Sequence, residues 1–213
     1  MNNQSTEQCK CFSDFVADIR RAAEMIAGRG IHGAHIALIG ENSYEWIVAY
    51  LTVSINGNVI VPIDRSYPEN SIYSVLRMSD SNLVIGSASQ LSRLYKLELE
   101  KLNLDEICSR DGTIRVYALP EVDADALNTK LFTSGTTGMS KGVMLSQNNL
   151  MSNVSAIASR KIQPGVKLLD LCMLPFSHTF QFTTILTALT CGHTIVVGSD
   201  MSKMSEYMRE YEP

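Results

Sequence analysis

Apolar positions along the chain switch repeatedly between a helical and an extended rhythm. From Phe12 to Ala27, Phe12, Phe15, Val16, Ile19, Ala22, Ala23 and Ile26 fall on one helical face. Gly28 and Gly30 close that helix. His35 to Gly40 is a short apolar run bounded by turn residues, which predicts a buried strand. Asn42 or Ser43 can cap the next helix, which runs to about Ile55, and Asn56-Gly57-Asn58 ends it. Val59 to Pro62 reads as a strand. Pro68 opens a helix to Met78, at a position where its missing N–H costs nothing.

The alternation continues with a strand at Leu83–Gly86, a helix from Ser89 to about Leu99 and a strand at Ile114–Leu119. Pro120 to Asn128 reads as a connector. Lys130-Leu-Phe-Thr133 is a short strand leading into a Gly-rich loop. Helices follow at Gln147–Ser159 and near Phe180–Leu189, strands at Leu168–Leu174 and Thr194–Val197, and a last helix at Ser202–Glu210. Strand and helix in alternation predict an α/β fold, a mostly parallel sheet flanked by helices in three layers. Ligands of such sheets bind beyond the carboxyl ends of the strands. Residues 1–11 are expected to be a flexible N-terminal segment. Tyr211-Glu212-Pro213 adds no closing strand, which predicts a truncated domain that continues past it.

Composition narrows the classes. Hydrophobic residues make up 45% and charged residues 19% of 213, an ordinary globular balance. A net charge of −4 without a long basic run favours neither nucleic acid nor an anionic membrane surface. The five cysteines, Cys9, Cys11, Cys108, Cys172 and Cys191, form no zinc pattern and read as scattered cytosolic thiols. The polar start, Met1 to Gln8, has no signal-peptide character, and no apolar run is long enough to cross a bilayer. A cytoplasmic protein with no integral membrane segment is expected.

The richest chemistry lies between Leu131 and Met144. Gly135, Gly138 and Gly142 permit close approach of the backbone to a ligand. Thr133, Ser134, Thr136 and Thr137 offer hydroxyls, and Lys141 offers one mobile positive charge. Polyphosphate binding calls for this mixture of short donors, permissive backbone and a cation. The order is not that of a Walker A loop, because Gly142 follows Lys141 and no helix opens there. The residues alone leave two readings open, a phosphate-binding loop and a plain Ser/Gly surface linker. An apolar strand before the loop and Val143-Met144-Leu145 after it weigh against the linker.

Thr133-Ser134-Gly135-Thr136-Thr137-Gly138, with Lys141-Gly142 behind it, closely resembles the signature of the adenylate-forming (AMP-binding) superfamily. Ile36 to Ile47, Val61 to Pro68 and Leu174 to Phe180 resemble that superfamily in the same order and spacing. The resemblance runs from about Phe12 to the end, so 12–213 is expected to be part of a large N-terminal AMP-binding domain with its phosphate loop at 133–142. Ser140, Gln147 and Arg65 depart from the usual Pro, His and Pro.

The resemblance implies an ATP-dependent ligase that joins a carboxylic acid to AMP, releases pyrophosphate and passes the acyl group to a thiol such as coenzyme A. Thr133, Ser134, Gly135, Thr136, Thr137, Gly138 and Lys141 would hold the phosphates, with Mg2+ sharing the charge. His178 would lie beside the acyl carboxylate; a lone histidine is otherwise a surface or structural residue. Phe176, Phe180 and Phe182 either line an apolar pocket or pack in the core. Thr179 stands where amino-acid-activating relatives place an Asp, which disfavours an α-amino acid. Val143 to Ser146 and Trp46 to Leu51 look most like the fatty acyl-CoA synthetase branch, so a fatty acid is the expected substrate class. An aryl or amino acid substrate, a non-catalytic nucleotide-binding module and an interaction domain with a relic loop remain alternatives. A homodimer is compatible with all of these. No metal ligand is expected within this chain. The family's later Mg2+-ligating Glu, ribose-binding Asp and catalytic Lys are expected beyond Pro213, so these residues alone are not expected to complete adenylation.

Overall fold

Neighbouring residues of a single strand point into two different cores, and this sets the layering. The computed structural model describes residues 9–108, 117–133, 141–161 and 168–213. In β1 (His35–Ile39), Ile36 and Leu38 face one cluster while Ala37 and Ile39 face another. The first cluster is covered by α1 (Phe12–Gly28) and α2 (Tyr44–Ile55). The second is covered by α3 (Glu69–Met78), reached through β2 (Val59–Ile63). β3 (Leu83–Gly86), α4 (Ala88–Arg93), β4 (Glu100–Asn103) and α5 (Leu104–Ile107) follow. The expected three layers are present.

β5 (Leu127–Thr133) and β6 (Lys141–Ser146) complete a six-stranded sheet of order β4-β3-β1-β2-β5-β6. All neighbours are parallel except β5 and β6. β1, β2 and β3 are covered on both faces, which is why they read as continuous apolar runs in the sequence. Gly86 ends β3 where it passes β1: a Cβ there would lie 2.9 Å from the carbonyl oxygen of Ile39.

After α6 (Gln147–Lys161), a second sheet pairs β7 (Leu169–Cys172) with β8 (Thr194–Val197) in parallel across α7 (Thr179–Cys191). Gly192, at φ 72°, ends α7 in the left-handed region, and the His193 N–H returns to the Ala188 carbonyl at 2.9 Å. A 3₁₀ turn, Met201–Lys203, leads into α8 (Met204–Tyr211).

The second sheet docks on the α2 face through aromatic rings. Trp46 meets Phe176 at 5.6 Å and Phe182 at 6.0 Å, both edge-on, and lies against Tyr50 at 5.6 Å. All four rings belong to the first core cluster.

Several expected boundaries shift, each for a local reason. The helix expected over Ser89–Leu99 stops at Arg93, where the chain turns and buries Leu94 completely. β4 was not expected, because Glu100-Lys-Leu-Asn103 buries only Leu102 and shows no apolar run. The Pro120–Asn128 connector gives its last two residues to β5, and Val143 to Leu145 belong to a strand antiparallel to β5. Residues 117–119 of the strand expected at Ile114–Leu119 are not extended into a sheet, and 114–116 lie outside the described residues. Phe12 and Val16, expected on the buried face of α1, are about half exposed, whereas Ala22, Ala23 and Ile26 are buried. Between Asn42 and Ser43, the helix cap is Ser43, whose Oγ accepts from the Trp46 N–H at 3.1 Å.

Among the described residues, no helix is long and apolar enough to cross a membrane. Cys9, Cys11, Cys108 and Cys191 are free thiols. Trp46→Ala is expected to lower stability by about 3–5 kcal/mol, and Trp46→Phe by less, because a fully buried ring joining two sheets is deleted. Chemical denaturation midpoints check this; equal midpoints for wild type and Trp46→Ala would show that the sheets are joined elsewhere.

Candidate active site

A parallel sheet opens a crevice where the connections from two adjacent strands leave in opposite directions. β2 and β5 meet that condition. From β2 the chain crosses back to β3, on the far side of β1; from β5 it turns outward to β6. Their ladder has one residue pair, Ile60 with Thr129. Two residues further on, Pro62 has no N–H to extend it. A narrow cleft opens there, lined by Pro62, Thr129, Leu131, Phe176, Thr179 and His178 among others. On its inner wall the Tyr50 hydroxyl meets Thr129 Oγ1 at 2.6 Å, and burial pushes the phenol's pKa up, which keeps it neutral.

At the carboxyl end of β2, Asp64 forms a tight turn. Its Oδ1 accepts from the Ser66 N–H at 2.8 Å and from the Ser66 hydroxyl at 2.7 Å. Oδ2 is left for His178, whose Nε2 lies 3.3 Å away. Burial opposes ionisation of Asp64, but the two Ser66 hydrogen bonds and His178 outweigh it and hold the carboxyl below its usual range. Arg93, from α4, fixes the same turn by donating to the carbonyls of Arg65, at 2.8 Å, and Tyr67. The Tyr67 hydroxyl reaches the Phe132 carbonyl at 3.4 Å, which ties this turn to the end of β5.

His178 precedes the first residue of α7, and its side chain is 63% exposed. Its backbone is anchored by an N–H bond to the Pro175 carbonyl at 3.0 Å. Thr133 and Lys141 are exposed and directly paired at the loop end of the β5–β6 hairpin. Ser134, Gly135, Thr136, Thr137 and Gly138 lie outside the described residues. Gly142 pairs with Phe132, and a Cβ there would approach the Phe132 ring to 3.3 Å. Of the three phenylalanines, Phe176 and Phe182 are core residues that also back the cleft, while Phe180 is 73% exposed.

Two polar residues at this end of the sheet were not singled out in the sequence as site residues. Arg93 carries no sequence signal, since only folding brings it to the Asp64 turn. Asn42 follows β1, and its side-chain amide reaches the segment after β7. Asp64 lies within the Val61–Pro68 stretch that resembles the superfamily, and its turn and its His178 contact come from the structure.

Residues 6–213 match the AMP-binding enzyme family, and the chain belongs to that family. A CoA ligase from Gibberella moniliformis is 30% identical over 201 residues, covering 87% of this chain and 33% of its own length. The nonribosomal peptide synthetase imqB from Aspergillus flavus is 30% identical over 186 residues, covering 86% of this chain and 6% of its own. The chain thus spans about a third or less of these relatives. The o-succinylbenzoate CoA synthetase MenE of Bacillus subtilis, solved with ATP and magnesium, has the same fold, with a TM-score of 0.82 at 22% identity over 97% of this chain and 56% of that one.

The Asp64 carboxylate has a depressed folded pKa, so its contribution to stability is present above about pH 4 and is lost as pH falls through the lower folded value. Asp64→Asn keeps the turn acceptor but removes the charge. The stability gap between wild type and Asp64→Asn is expected to be largest near neutral pH and to close in acid. Thermal unfolding as a function of pH measures it; a gap independent of pH would remove the charge from the account.

Proposed function

We propose that the protein activates a carboxylic acid with ATP and transfers the acyl group to the thiol of coenzyme A. One observation carries this reading: Thr133 and Lys141, which bracket the signature sequence, stand at the carboxyl end of β5, beside the end of β2 that carries Asp64 and its partner His178. The donor set suits a polyphosphate, since an exposed hydroxyl and an exposed ammonium face each other across the hairpin mouth. Among the described residues no group of three or more His, Cys, Asp or Glu could hold a metal ion, so magnesium is read as arriving on the nucleotide phosphates.

In this reading a carboxylate oxygen of the acid attacks the α-phosphorus, and pyrophosphate leaves. Lys141, Thr133 and the Ser134–Gly138 loop offset the charge on the leaving group. His178, on the cleft wall, contacts the acid's carboxylate. The thiol then attacks the acyl carbon, and AMP leaves with the bonding electrons. Apolar walls at Leu131, Phe176 and Phe182 favour an acyl group without charge. Thr179, also on the cleft, offers no carboxylate for a substrate ammonium. Both features support a fatty acid over an α-amino acid. A cytosolic setting fits the free thiols.

The test is acid-dependent ATP–pyrophosphate exchange by the full-length gene product across a panel of fatty, aryl and amino acids. Exchange is expected with fatty acids, and exchange with amino acids alone would reject the substrate class. Lys141→Ala is expected to weaken ATP binding about 10- to 100-fold by titration calorimetry, as loss of a charged hydrogen bond implies. Unchanged ATP affinity in that variant would argue against the phosphate role.

A further inference from the structure

Four hydrogen bonds converge on the side chain of Asn42, and all four come from backbone groups beyond Cys172. Its Nδ2 donates to the carbonyls of Met173 at 3.1 Å, Leu174 at 2.8 Å and Gly198 at 3.1 Å. Its Oδ1 accepts from the Phe176 N–H at 3.1 Å. An amide NH₂ has two hydrogens, so one is shared between two carbonyls. The chemistry is specific to this side chain. Asp would set a carboxylate against three carbonyl oxygens, Ser is too short to reach them, and Gln carries an extra methylene.

The usual structural reason for an Asn at this place, capping the following helix, does not apply, because Ser43 is the cap of α2. What Asn42 holds is the segment between β7 and α7. Gln181 completes the hold by accepting the Leu174 N–H on its Oε1 at 3.0 Å. Two residues after Phe176, the same segment delivers His178 to the cleft, where Asp64 Oδ2 lies 3.3 Å from its ring. Asp64 and His178 sit on different sheets, so their separation depends on how the β7–α7 segment is moored to the end of β1.

We propose that Asn42 is a positioning residue for His178, acting by mooring the Met173–Phe176 backbone of the second sheet to the strand ends of the first. This rests on the reading of the protein as an acid-activating ligase. Asn42 touches no reacting atom in this scheme, and its effect passes through His178.

A double-mutant cycle in the full-length gene product, read by acid-dependent ATP–pyrophosphate exchange, tests the assignment. Asn42→Ala is expected to lower kcat about 10- to 100-fold, the scale of a misplaced catalytic group. KM for ATP is expected to stay within about twofold, because the phosphate loop is not moved. In the His178→Ala background, Asn42→Ala is expected to change kcat by less than about twofold, since the group it positions is already gone. The cycle is repeated with Asn42→Asp, which keeps the shape and the acceptor for Phe176 but loses the donor. Losses that multiply in either cycle, or failure of both variants to fold, overturn the assignment. Absence of exchange in the wild type overturns the ligase reading along with it.

Discussion

Among the described residues, the six-stranded sheet and the β7–β8 pair share no strand hydrogen bonds, so nothing in either ladder fixes one against the other. Their alignment rests on the rings of Trp46, Tyr50, Phe176 and Phe182, packed between α2 and the β7–α7 region, together with the packing of α6 against α7. Edge-on and tilted ring contacts have preferred angles, so this packing constrains orientation as well as distance. Polar contacts at the strand ends then act on two bodies that are already close. Without the aromatic layer, Asn42 and Asp64 would face solvent, and their hydrogen bonds would be worth little against water.

The strand ends show a division of labour among polar side chains. Asp64 spends one oxygen on its own turn and leaves the other for a residue from the second sheet. Arg93 holds that turn by its carbonyls from behind. These bonds give the site a prearranged set of donors and charges, the condition under which electrostatic stabilisation acts without reorganisation during reaction. Where a hydroxyl is buried at the cleft wall, as in Tyr50, it has a partner in Thr129 and stays neutral.

Much of this architecture is written locally. Doubly buried strands announce themselves as apolar runs, and β1, β2 and β3 follow their expected spans closely, as does the only partly buried β8. α2 was legible because a capping residue stands before its apolar stretch. Charged edges were not: Glu100 to Asn103 pairs with β3 through backbone groups that leave no mark on side-chain pattern. The strand after the signature loop, Lys141 to Ser146, was not legible because it is exposed along most of its length and has no buried face to mark it. At the site, motif order pointed to Thr133, Lys141 and His178, while Asp64 lay in the Val61–Pro68 stretch without a role assigned to it. Arg93 and Asn42 matter through partners distant in sequence, and only the tertiary structure supplies those.

The antiparallel pairing of β5 with β6 has a mechanical consequence. Thr133 and Lys141 are neighbours across a ladder that runs back to Leu127 and Ser146. Their separation is therefore set by strand register. Because side chains alternate faces along a strand, sliding β6 by one residue would turn Lys141 to the opposite side of the sheet. The hairpin works like a gauge, with the gap between Thr133 and Lys141 cut into the register of its two strands.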